Sequence, residues 1–321
     1  MHAAVVHEPG APEVLRYEEV QDPSCHPRGV VIEVEAASIE GGDLRARAQG
    51  PLPRVPHVIG YQCAGVIREV GESVRERSVG QRVVAVAAAG SHAELRSVPA
   101  RATWVLPEGL GAEEAACIPV PFATAHDCLH EFGRLAPGET VLVQGATGGL
   151  GVAAVQLAKA AGATVIGTSS SEEKLERLVD YGLDHAVTTA GDPVAAVREL
   201  TGDRGVDLVI DPVGGEMLQR SLAMLAYRGR AITVGNASRG ESTVDISPLM
   251  NGNRTLQGVY LAAEQGANFA RVEALVSRLL EQVASGELRV LIDRRFPLAD
   301  AAGAHAYAES RRALGRVLLI P

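Results

Sequence analysis

The chain has 321 residues, long for one core and sufficient for two domains, with 46% apolar residues and only 3% aromatics. A formal charge of −9 together with so few aromatics excludes a nucleic-acid surface, which calls for cations against phosphates and rings on which bases stack. No run approaches the roughly 18 apolar residues of a membrane helix. The start, MHAAVVHEPG, is no signal peptide, and Cys25, Cys63, Cys117 and Cys128 show neither CxxC spacing nor the density of a secreted scaffold. The expectation is a soluble, cytoplasmic protein with reduced thiols.

Along the first third, residues 30–35 (VVIEVE) alternate like a half-exposed strand, and residues 63–70 (CAGVIREV) read as another. Gly71-Glu72-Ser73 and Gly80-Gln81 mark turns, and residues 82–88 form an apolar strand. Short strands punctuated by Gly and Pro predict a β-rich, barrel-like domain. From about Ala112 the pattern turns helical, with Glu113 and Glu114 in the first turn.

The most informative stretch follows, residues 140–174, reading TVLVQGATGGLGVAAVQLAKAAGATVIGTSSSEEK. It predicts a strand, a glycine turn, a helix and a second strand. Gly145, Gly148, Gly149 and Gly151 stand between an apolar run and a helical pattern, where backbone N–H groups and a helix N-terminus can receive a pyrophosphate. An NAD site usually has an acid near the end of the second strand, to bind ribose hydroxyls. Here Thr168, Ser169, Ser170 and Ser171 stand there, followed by Lys174, a better host for a phosphate; the segment reads as an NADPH site.

Strands and helices alternate thereafter. Ser170-Ser171-Glu172-Glu173 supplies an N-cap and a capping-box glutamate, Asp192-Pro193 opens another helix, and Gly182 closes one. Residues 206–211, 230–234 and 256–259 help complete a set of six candidate strands, which argues a parallel doubly wound sheet with ligands at the strand C-termini. A helix over 269–284, a strand around 290–296, a short helix and a last strand over 316–320 form a tail expected to return to the first domain.

These segments resemble the medium-chain dehydrogenase/reductase superfamily over essentially the whole chain, and within it the zinc-independent quinone oxidoreductase group. The resemblance is carried by Gly60-Tyr61-Gln62-Cys63-Ala64-Gly65-Val66 with Val70-Gly71, by residues 143–151, by residues 207–214 (DLVIDPVG) and by Val234-Gly235-Asn236-Ala237-Ser238. It implies an α/β protein: a Rossmann domain with a doubly wound parallel sheet, over residues 122–264, and a GroES-like (chaperonin-like) β-rich catalytic domain, over 1–121 and 265–321. For the cofactor it implies Thr124, Gly145, Thr147, Gly148, Gly149, Leu150, Gly151, Thr168, Ser169, Ser170, Lys174, Val213, Gly235 and Asn236. Thr124 has a second reading, a helical threonine bonded back to a carbonyl.

The zinc-dependent members of the superfamily carry a GHE motif, seen here as Gly60-Tyr61-Gln62, and a first Cys ligand where this chain has Glu40. One carboxylate and a tyrosine do not make a zinc site, so no metal is expected. The group usually has Asn at the place of Glu40 and often Tyr at that of Arg45, three before and two after Asp43. Glu40 reads either as a desolvated proton relay or as the partner of Arg45 or Arg47 in an ion pair that orders the loop, the second being favoured. Tyr61 either donates a hydrogen bond to a substrate oxygen that gains charge or fills space a metal would take. His57, His92 and His126 read as surface or satisfied core histidines, and Cys63 and Cys117 as inert buried thiols.

The candidate catalytic residues are thus Tyr61, Glu40 and Arg45. The implied activity is a zinc-free, NADPH-dependent reduction of a quinone or an activated α,β-unsaturated carbonyl, with substrate between the domains. The alternatives are a 2-enoyl-thioester reductase, which would miss the absent Tyr more, and a non-catalytic NADPH-binding sensor or structural protein. A homodimer paired through the edge strand 256–259 is expected.

Overall fold

The computed structural model describes residues 1–50 and 52–321. The chain forms two compact units, one of Met1–Val120 with Glu273–Pro321, the other of Pro121–Val272.

The first unit is β-rich. Strands β1 (His2–Val6), β2 (Arg16–Glu19), β3 (Gly29–Ser38), β4 (His57–Val58), β5 (Gln62–Val70), β6 (Arg82–Val86), β7 (Leu95–Pro99) and β8 (Thr103–Val105) make two sheets. The smaller has the order β2-β1-β4. In the larger, β3, β5, β6 and β8 lie side by side, β7 also pairs with β3, and Arg316–Ile320 and Ile292–Pro297 extend the sheet beyond β3. β3 and β5 run antiparallel, with Ala37 opposite Cys63. β3 is buried at its first four residues and its last three and alternates between them, so the sequence alternation over 30–35 marked only its middle. Ile32, Ile59, Ile67, Val83 and Leu319 are almost wholly buried in its core. The last strand thereby lies beside the loop that follows β3, since Ile39 N–H donates to the Val317 carbonyl at 3.0 Å.

The second unit is a six-stranded sheet of β9 (Thr140–Val143), β10 (Thr164–Ser169), β11 (His185–Thr188), β12 (Val206–Asp211), β13 (Leu225–Thr233) and β14 (Thr255–Gly258). Every pair is parallel, in the order β11-β10-β9-β12-β13-β14. The order reverses between β9 and β12, which in doubly wound sheets opens a crevice at the strand C-termini. Val141, Leu142 and Val143 have no exposed surface. A central parallel strand is covered on both faces, hence the continuous apolar run. The helices start as the sequence indicates: Asp192 Oδ1 accepts from the N–H groups of Val194 and Ala195 at 3.0 and 3.2 Å, and Ser171 Oγ from Lys174 N–H at 3.4 Å. Among the described residues no helix is long and apolar enough to cross a membrane.

Candidate functional site

In the second unit the site is built at the ends of β9, β10, β12 and β13. Gly145, at φ +59°, leaves β9 in a conformation few side chains accept. The helix Gly149–Ala160 begins four residues later, with Gly148 as N-cap. Gly151 has a different necessity: a Cβ there would stand 2.5 Å from the carbonyl oxygens of Gly145 and Ala146. At exposed Gly148 a Cβ would meet nothing closer than the Gly145 carbonyl at 3.5 Å, so the protein itself does not require glycine there. The first N–H groups of this helix, at Gly149 and Leu150, have no intrahelical acceptor and the helix dipole behind them, which suits a phosphate.

Thr168 and Ser169 converge on this turn but differ in what they leave open. The Thr168 hydroxyl is buried, donates to Gln144 Oε1 at 2.5 Å and accepts from Gly145 N–H at 3.3 Å. It shapes the turn from inside. Ser169 Oγ lies 3.1 Å from Thr147 Oγ1 and 3.3 Å from Ser171 N, while Ser170 is exposed beside it. Lys174 stands in the short helix Glu172–Glu176 that follows.

A buried polar string that sequence reading missed ties these ends together. Gln144 Nε2 donates to Ser221 Oγ at 3.2 Å, and Ser221 donates to Asp211 Oδ2 at 2.8 Å. Asp211 Oδ1 accepts from Val213 and Gly214 N–H at 2.8 and 2.9 Å. Thr168, Gln144, Ser221 and Asp211 thus fix the ends of β10, β9 and β12 in one register. The only signal was a polar residue closing each apolar strand. Val213 lies against Gly145, with a methyl 3.4 Å from where a Cβ would be. The Asn236 side chain is spent within its own loop, donating to the Gly240 carbonyl at 2.7 Å and accepting from Ser238 Oγ at 2.8 Å, and Gly235 beside it is exposed. Thr124, on the helix Pro119–His126, is buried and makes no side-chain hydrogen bond among the described residues, so the bond back to a carbonyl does not form.

In the first unit, Glu40 and Tyr61 come together and Arg45 stays apart. Glu40 precedes the helix Gly41–Gln49, and its N–H donates to Asp43 Oδ2 at 2.9 Å, a capping bond. Its buried Oε1 collects Arg316, Gln62 Nε2 at 3.1 Å and Ser38 Oγ at 3.3 Å. Arg316 also donates to Ser38 Oγ at 3.0 and 2.6 Å and to the Ile39 carbonyl at 2.7 Å. The expected pairing with Arg45 or Arg47 is therefore corrected. Helical neighbours lie three or four residues apart; Arg45 and Arg47 fall five and seven from Glu40. Arg45 is exposed, with no side-chain partner among the described residues, and Arg47 binds Glu309 at 2.6 Å. Arg316 was missed because nothing in a C-terminal strand signals a partner 276 positions earlier.

Burial dominates the electrostatics here. It pushes the Glu40 carboxyl up, against the pull of Arg316 and Ser38, and raises Asp43 to about 8. Desolvation would discharge Arg316, but the Glu40 charge facing it holds it protonated. Tyr61 lies well above its ordinary value, again through burial first and then the nearby carboxylates, so it is a phenol that can donate. Its ring packs against Gly42, where a Cβ would stand 2.8 Å from Cε1 and Oη. Gln62 also accepts from Val120 N–H at 2.7 Å and donates to the Ala116 carbonyl. Cys117 is pushed up to about 12 by burial and donates to the Glu113 carbonyl at 3.2 Å. His92 is a core residue, 3.0 Å from His305 between their Nε2 atoms.

Residues 26–115 match the model of the alcohol dehydrogenase GroES-like domain, and residues 149–281 that of the zinc-binding dehydrogenase domain. The chain is 33% identical to a 2-haloacrylate reductase of a Burkholderia species, over 99% of this chain and 98% of that protein. The chain belongs to the medium-chain dehydrogenase/reductase superfamily of oxidoreductases, in its zinc-independent quinone oxidoreductase-like group. It is also 32% identical to a quinone oxidoreductase of Pseudomonas aeruginosa, with 97% of each chain covered. The solved structure of the Escherichia coli quinone oxidoreductase complexed with NADPH superposes with a TM-score of 0.94, at 30% identity and over the full length of both chains.

The zinc named in the second domain match does not fit the side chains present. Glu40 Oε1 is filled by Arg316, Gln62 and Ser38, and Tyr61 stands where the zinc-dependent members carry the histidine of their GHE motif. Among the described residues no three His, Cys, Asp or Glu side chains converge to hold a metal. The positive charge opposite Glu40 belongs to Arg316.

Proposed function

We propose that this protein is a zinc-free, NADPH-dependent reductase of quinones and activated α,β-unsaturated carbonyls. The observation that carries the reading is the glycine turn facing a second strand that ends in Ser169 and is followed by Ser170, hydroxyls rather than a carboxylate, with Lys174 in the short helix beyond. The names of the Burkholderia and Pseudomonas relatives point to the same acceptor class, a C=C bond or ring already conjugated to an electron-withdrawing group.

The reduced nicotinamide, when bound, supplies the hydride. The chain's own residues do the rest. Gly145, Gly148, Gly149, Leu150 and Gly151 form the turn for the pyrophosphate, with Thr147 beside it. Ser169, Ser170 and Lys174 hold the additional phosphate, Thr168 keeps the turn in shape, and Thr124, Val213, Gly235 and Asn236 border the nicotinamide end. Tyr61 donates a hydrogen bond to the substrate oxygen as it gains charge. Glu40, neutralised by Arg316, caps the helix whose Gly42 backs the Tyr61 ring, and so acts as a positioning residue. Arg45, exposed on that helix, is given no role in the chemistry. A quinone product anion takes its proton from water, whereas an enoyl thioester needs a donor, so quinones rank first.

The free edge of β14, uncharged from Thr255 to Gly258, supports a homodimer, and four free cysteines support a reducing, cytoplasmic setting. The test is NADPH consumption with an ortho-quinone, an enone and an enoyl thioester in parallel. The expected order places the quinone first and the enone next. Turnover confined to the thioester would replace the reading with enoyl reduction. NADPH binding with no acceptor-dependent turnover would favour a sensor.

A further inference from the structure

At the end of the six-stranded sheet where its strands begin, away from the glycine turn, the second unit has a groove of about 510 Å³. It is lined by Arg134, Glu139, Tyr227, Arg228, Arg230 and Asn253, among others. Two saturated arginines build its frame. Arg230 grips Glu139 through two bonds of 2.8 and 2.7 Å and donates to the Gly133 carbonyl at 2.8 Å. Arg254 donates to the carbonyls of Leu222, Leu225, Ala226 and Pro248. They pin the turn that carries Arg134 and the irregular part of β13 that carries Tyr227 and Arg228.

Arg134 and Arg228 differ from these two. Both are exposed, and neither side chain has a hydrogen bond or ion pair among the described residues. Both lie in left-handed backbone, at φ +49° and +61°, where glycine would cost least. Arg239 and Arg311, also left-handed, each have a partner of their own. The carboxylates lining the groove are already engaged, Glu139 by Arg230 and Asp207 by Arg204 at 2.6 and 2.9 Å. A chain of charge −9 thus keeps two uncompensated guanidiniums on one concave surface, each on strained backbone. Beside them the Tyr227 ring is 69% exposed, its hydroxyl accepting from Asn253 Nδ2 at 3.2 Å.

We propose that this groove binds a phosphorylated small molecule with a planar ring, of the nucleoside monophosphate class. Arg134 and Arg228 bridge its phosphate and Tyr227 receives its ring. Guanidinium forks match phosphate oxygens in pairs, and an aromatic face held open beside them offers stacking. The site is separate from the proposed hydride chemistry and does not depend on it.

The test is calorimetric titration of the NADPH-saturated protein with adenosine monophosphate and with inorganic phosphate; if NADPH does not bind, the free protein is titrated and the variants are read in the same way. One saturable site is expected, tighter for the nucleotide than for phosphate. Two double variants, R134G/R228G and R134Q/R228Q, should each weaken it at least tenfold. The glycine pair should melt at or above the parent temperature, because it relieves the left-handed backbone while removing the ligand's partners. Y227A should weaken adenosine monophosphate and leave phosphate unchanged. No binding, or binding untouched by both double variants, would overturn the proposal.

Discussion

Replacing Arg316 by Met isolates what the buried pair with Glu40 does. The guanidinium contributes bonds to Glu40, Ser38 and the Ile39 carbonyl, all buried. Its removal leaves the Glu40 carboxylate without a counter-charge, which for a broken buried pair costs about 3–5 kcal/mol. Glu40→Gln falls at the low end of that range, about 3 kcal/mol, since an amide oxygen still accepts from Ser38 and Gln62 while the arginine is left uncompensated. In the double variant neither charge is buried alone, so the loss should fall at least about 2 kcal/mol short of the summed singles. The assay is built in: the chain has a single tryptophan, Trp104, 3% exposed in the same unit, its indole donating to the Glu273 carbonyl at 3.2 Å. Urea unfolding followed by its fluorescence should show the R316M midpoint lower by roughly 1 M or more, for a denaturant slope of about 2–3 kcal/mol per M. Singles that simply add, with coupling below about 0.5 kcal/mol, would refute the reasoning.

Tyr61→Phe should lower kcat about 10–100-fold with an enone and less with a quinone, leaving KM for NADPH unchanged; an equal loss for both acceptors would remove Tyr61 from its role. Gly151→Ala forces a Cβ to 2.5 Å from two carbonyl oxygens, so steady-state fluorescence titration should show NADPH binding at least tenfold weaker, and unchanged affinity would contradict the packing. Burial lowers His92 to about 3, and its neighbour His305 is also lowered by burial. The unfolded chain therefore takes up protons below about pH 6.5 that the folded one refuses. Stability is full above that pH and falls as pH drops toward 3, by up to about 1.4 kcal/mol per pH unit for each histidine. An H92Q/H305Q variant should show a shallower fall between about pH 6.5 and 4.5 in urea titrations; an identical slope would contradict the assignment.

What the sequence made legible was local. The turn at Gly145 and Gly151, the caps Ser171 and Asp192, and the strands of the sheet depend on neighbours a few residues away, and short-range patterns record them. The strand His185–Thr188 was not placed by residue, because a four-residue edge strand with three exposed positions carries no periodicity. The partner of Glu40 was assigned to the adjacent helix, whereas the fold brings Arg316 from the far end of the chain. The string from Thr168 through Gln144 and Ser221 to Asp211 joins residues 10 to 77 positions apart that each read as unremarkable alone. Long-range polar pairing is chosen by topology, and topology is what a linear pattern encodes least.

The most direct test of a zinc-free hydride transfer is the rate of NADPH oxidation by an ortho-quinone, measured on chelator-treated protein before and after zinc is restored. Undiminished turnover after metal removal, unaltered by added zinc, is the result expected of a site in which Arg316 supplies the positive charge beside Glu40. Activity lost with the metal and recovered with zinc would contradict it.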